Sequence, residues 1–350
     1  MDGETHNQDL QKGMLRMNTN IENKMRTFKM SETGGTAQVE EVKPKPAFGQ
    51  VLMRIEATSI NARDLFMLNG SYPVPVGRIP LSDASGVIEE VGPGVTRFKV
   101  GDKVINSFNP SWIGGKLREP AKMYHTDLDG FLTDYKVLNE QALVKMPEYL
   151  DFKEAATLPC AAVTAWSAIK GVGAGDTVLI QGTGAVSLFA LQLAKAAGTR
   201  VIATTSKEDK AKRLLELGAS DVINYRETPN WGEEVKKLTN GQGADYVIEV
   251  GGAGTIAESI KSVAYRGMIS SVGHLAFNET GMNLLDFTYS GATLRVIGGG
   301  SRSDLEDMIR VMKQHKIHPI IDKVFKFKNA LEAISHMESG NYFGKIVIEN

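Results

Sequence analysis

The chain of 350 residues has a single cysteine, Cys160, and almost no excess of charge of either sign. One cysteine excludes a disulfide framework and a structural metal site built from cysteines, and it is typical of a reducing compartment. With 40 Lys and Arg against 41 Asp and Glu, the chain offers no basic surface for nucleic acid. No apolar run approaches the roughly 20 residues that cross a bilayer. We therefore expect a cytoplasmic protein that binds neither nucleic acid nor membrane.

The chain is rich in glycine, with 36 residues, and 42% of it is hydrophobic. From about residue 25 to 162, short apolar strands are separated by glycine and proline, and the segment 50–60 alternates apolar and polar residues. This pattern predicts a β-rich domain. Residues 1–24 are polar, carry charges of both signs and lack the apolar core of a secretory signal, so we expect a disordered extension.

A second pattern, from about residue 163 to 298, alternates apolar strands with helices. Six strands are predicted, at 177–181, 200–204, 221–224, 246–250, 268–272 and 293–298. Strand–helix alternation of this length predicts a doubly wound parallel sheet, so the fold class is α/β with two domains. In residues 299–350, Ser303 and Glu306 are spaced as a capping box, and the strands that follow are expected to return to the first domain.

The most informative segment is the glycine turn between the first strand and first helix of the second domain. Gly182 permits the turn, and Gly184 lets the backbone approach a pyrophosphate. The N–H groups of Ala185, Val186 and Ser187 then face the anion at the helix N-terminus. Ser187 stands where this fingerprint has Gly or Ala, but it is small enough for close packing of helix on strand. The strand before the turn and the helix after it make the fingerprint specific for a dinucleotide.

The end of the second strand indicates which dinucleotide is bound. Thr205 stands about 20 residues past the glycines, where NAD-binding domains carry an acid. Ser206, Lys207 and Lys210 follow, and a hydroxyl and two ammonium groups favour the 2′-phosphate of NADPH. The alternative is that Ser206 only caps the next helix, whose lysines then lie on a solvated face.

Several segments resemble the medium-chain dehydrogenase/reductases. They are residues 60–65, the pair Ser82 and Asp83 before 86–92, and residues 101–104, 158–166 and 344–348. With the glycine turn, they lie in the family's order from about residue 25 to 350. They are most similar to the zinc-independent quinone-oxidoreductase and enoyl-reductase branch. The resemblance implies a GroES-like catalytic domain, a Rossmann domain over 163–298, a cofactor in the cleft between them, and homodimers joined near residues 293–300.

The resemblance also bears on zinc. The alcohol dehydrogenases of this family hold a catalytic zinc with Cys, His and Cys, and the matching positions here are Asn61, Asp83 and Cys160. Only the cysteine is retained, and an amide oxygen is a poor zinc ligand. We therefore expect no metal and interpret Cys160 as a small apolar residue.

Asn61, Tyr72 and Asp83 are the candidate catalytic residues. A nicotinamide cofactor carries the hydride, so the protein must orient it and stabilise charge on the substrate oxygen. The Asn61 amide is a candidate donor to that oxygen. Tyr72 resembles the tyrosine that related reductases place beside the cofactor and is the preferred proton donor. Asp83 is a second donor if burial raises its pKa, and otherwise a turn-capping aspartate.

The resemblance implies further cofactor contacts. Thr164 is expected at the nicotinamide and Tyr225 beside the lysines at the 2′-phosphate. Gly251, Val272 and Lys345 are expected at the ribose and nicotinamide. The substrate, a small molecule, is expected between loops 107–130 and 274–290, with Phe108, Trp112 and Trp166 as candidate walls or ordinary packing residues. His274 is a candidate hydrogen-bonding partner of cofactor or substrate, and the alternative is a structural loop histidine.

These observations predict an NADPH-dependent reductase of an enone or a quinone. An alcohol or carbonyl dehydrogenase of the same superfamily stays open, as does a non-catalytic NADPH-binding protein.

Overall fold

The computed structural model describes residues 24–32, 35–275 and 281–350. Of the extension predicted over residues 1–24, only Lys24 is described, and it begins the first strand. The N-terminal lobe contains seven strands and two short helices: β1 Lys24–Met30, β2 Thr36–Val42, β3 Gln50–Ile60, α1 Ala62–Leu68, β4 Asp83–Val91, β5 Lys103–Asn106, β6 Tyr135–Asn139, β7 Leu143–Lys145 and α2 Phe152–Ala155.

Strand β3 is the centre of this lobe. Along its eleven residues it pairs antiparallel with all of β4, and with β6 over its first half. Its apolar residues Val51, Met53 and Ile55 are buried, as their alternation predicts, and Leu52 on the opposite face is buried too. Both faces of the strand are therefore covered, which fixes its register and the position of its last residue, Ile60.

The second lobe is a six-stranded parallel sheet with helices on both faces. Its elements are α3 Val163–Ala168, β8 Thr177–Gln181, α4 Ala185–Ala196, β9 Arg200–Thr205, α5 Glu208–Glu216, β10 Asp221–Asn224, α6 Trp231–Leu238, β11 Ala244–Glu249, α7 Ile256–Ser262, β12 Val263–Ser271, α8 Leu284–Ser290 and β13 Thr293–Val296. The strand order is β10-β9-β8-β11-β12-β13. This is the dinucleotide-binding order, in which the direction of winding reverses between β8 and β11. The predicted fold class is confirmed.

Helix α4 packs into an apolar core that continues from the second lobe into the first. Leu188 and Leu191 of α4 are fully buried with Val178 of β8, and the same cluster includes Phe108 and Val144 of the first lobe. Burying one leucine contributes about 2 kcal/mol. The glycine turn that precedes α4 is therefore held from both lobes.

The C-terminal segment consists of α9 Arg302–His315, β14 Ile321–Lys326, α10 Ala330–Glu338 and β15 Lys345–Glu349. Helix α9 packs on α3 and the second lobe's core, whereas β15 pairs with β3 and β14 with β15. These two strands complete a seven-stranded sheet in the N-terminal lobe.

The predicted capping box at Ser303 and Glu306 was wrong by two residues. The cap of α9 is Ser301, whose hydroxyl accepts from the Asp304 N–H. Two overlapping Ser-x-x-acid patterns occur here, and the earlier one lets Leu305 and Met308 face the core. Within the described ranges, no helix is long and apolar enough to span a membrane.

Candidate active site

Asn61 lies where β3 ends and α1 begins. It is the N-cap of α1, its backbone N–H donates to Asp64 Oδ2 over 2.8 Å, and its side chain is almost fully buried. The amide Nδ2 donates to Asp83 Oδ2 over 2.9 Å. One amide N–H is thereby committed to Asp83, and the other has no partner among the described residues.

Asp83 is the first residue of β4 and pairs with Ser59 of β3, so it is a strand residue and not a turn cap. Its Oδ2 accepts from Asn61 and from Ser59 Oγ at 3.3 Å, while Oδ1 is buried with no hydrogen-bond partner in the described chain. Burial raises the pKa of Asp83 to about 6, although Lys345 and Asn61 act in the opposite direction. The carboxyl can therefore be protonated near neutral pH.

Lys345 joins these two residues from the opposite end of the chain. It is the first residue of β15 and fully buried, and its Nζ donates to Ile60 O over 2.9 Å and to Asn61 Oδ1 over 2.7 Å. Its distance to Asp83 Oδ2 is 3.5 Å. The resemblance implied that Lys345 contacts the ribose or nicotinamide of the cofactor. In the structure its ammonium lies within the Asn61–Asp83 cluster. A lysine at the start of an apolar strand was the only signal in the sequence for this arrangement.

The glycine turn has the geometry that the fingerprint requires. Gly182 has a φ of +69°. Gly184 is the N-cap of α4, and no side chain caps the helix there. A Cβ added at either glycine would meet no described atom within 4 Å, so the backbone of the turn is open. Ser187 Oγ donates to Gln181 O over 2.6 Å, which explains how Ser replaces Gly here: it ties helix to strand. The N-terminus of α4, which no described side chain caps, and this open turn fit a pyrophosphate.

Gly344 brings this turn to the Asn61–Asp83 cluster. Its N–H donates to Thr183 O over 3.1 Å, and it forms a parallel bridge with Gly184. A Cβ at Gly344 would lie 2.3 Å from Ile320 O, and the φ of Gly344 is +100°, so only glycine fits at this position. Lys345 is the next residue. The residue that contacts the glycine turn is therefore joined by one peptide bond to the lysine whose ammonium lies in the Asn61–Asp83 cluster.

The residues predicted at the 2′-phosphate lie at the end of β9 and the start of α5. Ser206 does not cap the helix, because α5 begins at Glu208 with Lys207 as N-cap. Thr205 is buried and its carbonyl accepts from the Tyr225 N–H over 3.0 Å, which holds the Tyr225 turn beside β9.

The two lysines reach across to the C-terminal segment of the other lobe. Lys207 Nζ donates to Asn341 Oδ1 and Lys210 Nζ to Tyr342 O, each over 2.8 Å. Arg213, one turn further along α5, lies over the Phe343 ring at 3.7 Å. The two lysines donate to an amide oxygen and a backbone carbonyl oxygen, so neither hydrogen bond is made to a carboxylate. Arg213 was missed by the sequence analysis, although its spacing from Lys210 places it on the same helix face.

A buried polar network at the reversal point between β8 and β11 was also missed. Glu249 is fully buried and accepts from Gln181 Nε2 at 2.9 Å. Its carboxylate also accepts from the N–H groups of Gly251 and Gly252 and from the hydroxyls of Thr255 and Ser259. This network fixes the loop after β11, where Gly251 was predicted to contact the cofactor.

Three further predicted residues are two expected cofactor contacts, Thr164 and Val272, and the single cysteine, Cys160. Thr164 is the second residue of α3 and nearly buried, and Val272 follows β12 with its N–H donating to Glu249 O over 2.8 Å. Cys160 is partly buried in a π-helical turn, Leu158–Ala162, and packs against the core, where burial raises the pKa of its thiol.

A cleft of about 630 Å³ opens beside α1. It is lined by Arg63, Phe66, Met67, Asn69, Ser71, Tyr72, Met123, Thr126 and His274. Tyr72 is 55% exposed at this cleft. Met123, Thr126 and His274 come from the two loops that were predicted to form the pocket. Phe108, Trp112 and Trp166 do not line it.

The comparisons with known proteins agree with this architecture. Residues 47–148 match the family described as alcohol dehydrogenase GroES-like domain, and residues 185–314 match the family described as zinc-binding dehydrogenase. A zinc-type alcohol dehydrogenase-like protein of Schizosaccharomyces pombe is 41% identical over 324 residues, which are 88% of this chain and 93% of that protein. The quinone oxidoreductase of Homo sapiens is 30% identical over 71% of this chain and 73% of its own.

A solved structure of an NAD-dependent alcohol dehydrogenase superposes with a TM-score of 0.86 at 31% identity, over 93% of this chain and 99% of that one. The chain therefore belongs to the medium-chain dehydrogenase/reductase superfamily, the family of the alcohol dehydrogenases. It is an oxidoreductase with a GroES-like domain and a Rossmann domain, and its family depends on a nicotinamide nucleotide.

Proposed function

We propose that this oxidoreductase uses NADPH, needs no catalytic zinc, and reduces a small enone or quinone. The observation that carries the proposal is the link through Gly344 and Lys345. Gly344 contacts the glycine turn, and Lys345 bonds Asn61 and approaches Asp83. A dinucleotide bound on the turn would therefore lie against a cluster that contains an amide donor and a carboxyl able to carry a proton.

The preference for NADPH is supported by charge at the end of β9. Lys207, Lys210 and Arg213 lie close enough to contact one short segment, Asn341–Phe343, and no acidic residue takes the place of Thr205. A phosphate dianion binds such a cluster through charge-assisted hydrogen bonds, whereas a ribose hydroxyl gains little from it. Ser206 has no capping role and is free to bind the phosphate.

The independence from zinc is supported by the chemistry of the donor atoms. Asn61 Oδ1 and Asp83 Oδ2, at two of the zinc-ligand positions, both face the Lys345 ammonium. A second cation there would be repelled by Lys345 and would have to displace it. Among the described residues, no group of three or more His, Cys, Asp and Glu is arranged to hold a metal ion.

When bound, the cofactor supplies the hydride; the chain's own residues orient the substrate and move the proton. The free N–H of Asn61 would donate to the substrate oxygen. Asp83, with its raised pKa, is one proton donor, and Tyr72 at the cleft is the other. The apolar walls Phe66, Met67 and Met123 would exclude water from the reacting carbon.

A homodimer joined through β13 belongs to the same proposal. This strand ends the six-stranded sheet and has no partner on its outer side among the described strands. Val296 is 79% exposed, and in α8, which precedes β13 in the chain, Tyr289 is 74% exposed and Leu284 and Leu285 are exposed too. An open sheet edge with an apolar surface is typical of an interface between copies.

The test is a titration of NADPH and NADH followed by a screen of NADPH oxidation against quinones, enones, aldehydes and ketones. The double variant Lys207→Glu/Lys210→Glu should weaken NADPH binding by about 100-fold or more and change NADH binding by less than about threefold. Lys212→Glu, at an exposed lysine of the same helix, is the matched control and should change neither. Equal affinity of the unaltered protein for both nucleotides would refute the NADPH assignment.

A further inference from the structure

Among the described residues that line the cleft beside α1, Arg63 alone carries a permanent charge. Arg63 is the second residue of α1, and its side chain is 23% exposed. Its Nη1 donates to Ser82 Oγ over 2.5 Å and to Tyr124 O over 3.2 Å. These two bonds commit one end of the guanidinium to the protein and fix its plane.

The other edge of the guanidinium is uncommitted. A guanidinium has five N–H donors, and the Nε and Nη2 donors form a side-on fork that matches the two oxygens of a carboxylate. Among the described residues, the contact made from this edge is that of Nη2 with Met67 Sδ at 3.9 Å, and sulfur is a weak acceptor. The fork is therefore available to a ligand in the cleft.

The counter-charge of Arg63 lies behind it and not in the cleft. Asp64 is fully buried, its Oδ1 is 3.8 Å from Arg63 Nη1, and it also accepts from Ser82 Oγ and contacts His125 Nδ1 at 2.9 Å. Burial alone would raise the pKa of Asp64, but His125 and Arg63 outweigh it and hold that pKa below its usual value. Asp64 is thus a carboxylate whose oxygens are bound inside the lobe, and its ion pair with Arg63 is made to Nη1 and leaves the Nε–Nη2 fork without a carboxylate partner among the described residues.

The remaining wall of the cleft has no opposing charge. None of the described residues that line it is acidic; His274 and Tyr72 are its other titratable side chains. The apolar residues Phe66, Met67 and Met123 surround the guanidinium and lower the local dielectric constant. An anion that entered would be attracted more strongly than at an exposed arginine.

We propose that the substrate is an α,β-unsaturated carbonyl compound bearing a carboxylate, and that the Nε–Nη2 fork of Arg63 binds this carboxylate. The inference rests on the proposed function. Arg63 lies near the candidate catalytic cluster: it is two residues after Asn61, and, besides burial, the charges of Asp83, Arg63 and Lys345 all act on the pKa of the Cys160 thiol. A carboxylate on Arg63 would thus place the conjugated double bond toward Asn61 and Asp83.

The carboxylate takes no part in the bond changes. The reaction would add a hydride, supplied by the bound nicotinamide, at the β-carbon and a proton from Asp83 or Tyr72 at the α-carbon, so that the π bond of C=C is lost and two C–H bonds form. The substrate gains two electrons, the reduced nicotinamide is oxidised, and the carboxylate stays bound to Arg63 throughout.

The test compares one enone with and without the charge: 4-oxo-4-phenyl-2-butenoate and its methyl ester, with NADPH in excess. We expect the acid to be the better substrate, and Arg63→Met to lower kcat/KM for the acid about 100-fold, mainly through KM, with less than a threefold effect on the ester. Arg63→Lys keeps the charge but lacks the fork, so its kcat/KM for the acid should lie between the values of the unaltered protein and Arg63→Met. Arg310→Met, at an exposed arginine of α9, is the control.

Equal kcat/KM for acid and ester in the unaltered protein would overturn the proposal, and so would an equal loss for both in Arg63→Met. Calorimetric binding of the saturated acid, 4-oxo-4-phenylbutanoate, and of its ester in the presence of NADP⁺ provides a readout without turnover. Binding of the acid that is stronger than that of the ester and lost in Arg63→Met supports the anion site even if no enone is reduced, in which case the proposed reaction alone is wrong. Equal binding of acid and ester refutes the site. Thermal unfolding of each variant excludes a folding defect.

Discussion

Gln181 Nε2 donates a hydrogen bond to Glu249 Oε2 over 2.9 Å, across the point where the winding of the parallel sheet reverses. Gln181 ends β8 immediately before the glycine turn, and Glu249 ends β11 immediately before the Gly251 loop. The crevice between these two strands is where doubly wound sheets bind their ligands. The pair therefore joins the two loops that would enclose the cofactor.

Removing the Glu249 carboxylate should destabilise the protein strongly. It accepts from five donors, so Glu249→Ala leaves buried N–H and O–H groups unpaired and should lower the free energy of unfolding by about 3–5 kcal/mol. Urea unfolding measures this. Glu234→Ala, which removes a solvent-exposed ion pair with Lys237, should change the free energy of unfolding far less, because water screens the pair. A loss below about 1 kcal/mol for Glu249→Ala would contradict the role of this network.

Asp83 should impose a pH dependence on catalysis. Its pKa of about 6 means that the proton-donating form predominates below pH 6 and declines about tenfold per pH unit above it. If Asp83 supplies the proton, kcat/KM falls as pH rises through 6, and Asp83→Asn abolishes that inflection. Tyr72→Phe is the comparison: loss of activity there with the inflection retained would assign the proton to Tyr72 instead.

Lys345→Met should destabilise the protein in a pH-dependent way. Without the ammonium, the ionised Asp83 is a buried charge with no counter-ion, which costs about 3 kcal/mol or more. Because Lys345 lowers the pKa of Asp83, this pKa rises further in the variant. The deficit in unfolding free energy should therefore be large at pH 8 and shrink as pH falls toward 5, where Asp83 is protonated. A deficit independent of pH would show that Lys345 acts only through packing.

The two glycines of the turn should respond differently to alanine. Gly182 has a φ of +69°, so Gly182→Ala strains the backbone and should lower the free energy of unfolding by about 1 kcal/mol. Gly184 has a φ of −72° and open space at its Cβ position, so Gly184→Ala should leave stability unchanged. Its methyl group would instead obstruct the pyrophosphate and weaken binding of the nucleotide at least tenfold. Unaltered nucleotide binding by Gly184→Ala would contradict this placement of the pyrophosphate.

Edge-strand variants should identify the interface between copies. Val296 on β13 and Val324 on β14 are both exposed valines on strands that end their sheets. Val296→Lys should convert a dimer to a monomer because it places a charge in the apolar interface, whereas Val324→Lys should not. Sedimentation velocity distinguishes the two. A monomeric parent protein, or a dimer that survives Val296→Lys, would exclude this interface.

Local sequence determined the dinucleotide-binding unit. The apolar run of β8, the glycines at 182 and 184 and the apolar face of α4 all lie within 20 consecutive residues, and their conformations follow from propensity and periodicity alone. The two strands β8 and β10 have the predicted bounds, and the choice of Thr205 over an acid can be read directly from the chain. The capping error at Ser303 arose because two overlapping patterns were locally equivalent and only core packing distinguished them.

The tertiary structure alone decided the composition of the candidate active site. Lys345 is 262 residues from Asp83, and it reaches that carboxyl because β15 returns to pair with β3. Lys207 and Asn341 meet because the C-terminal segment crosses between lobes. Charge and burial at such sites depend on which distant elements pack together, and no periodicity within one segment carries that information. The chain thus encodes the cofactor fold locally, whereas the candidate catalytic cluster exists only once β3 and β15 of the GroES-like lobe are paired.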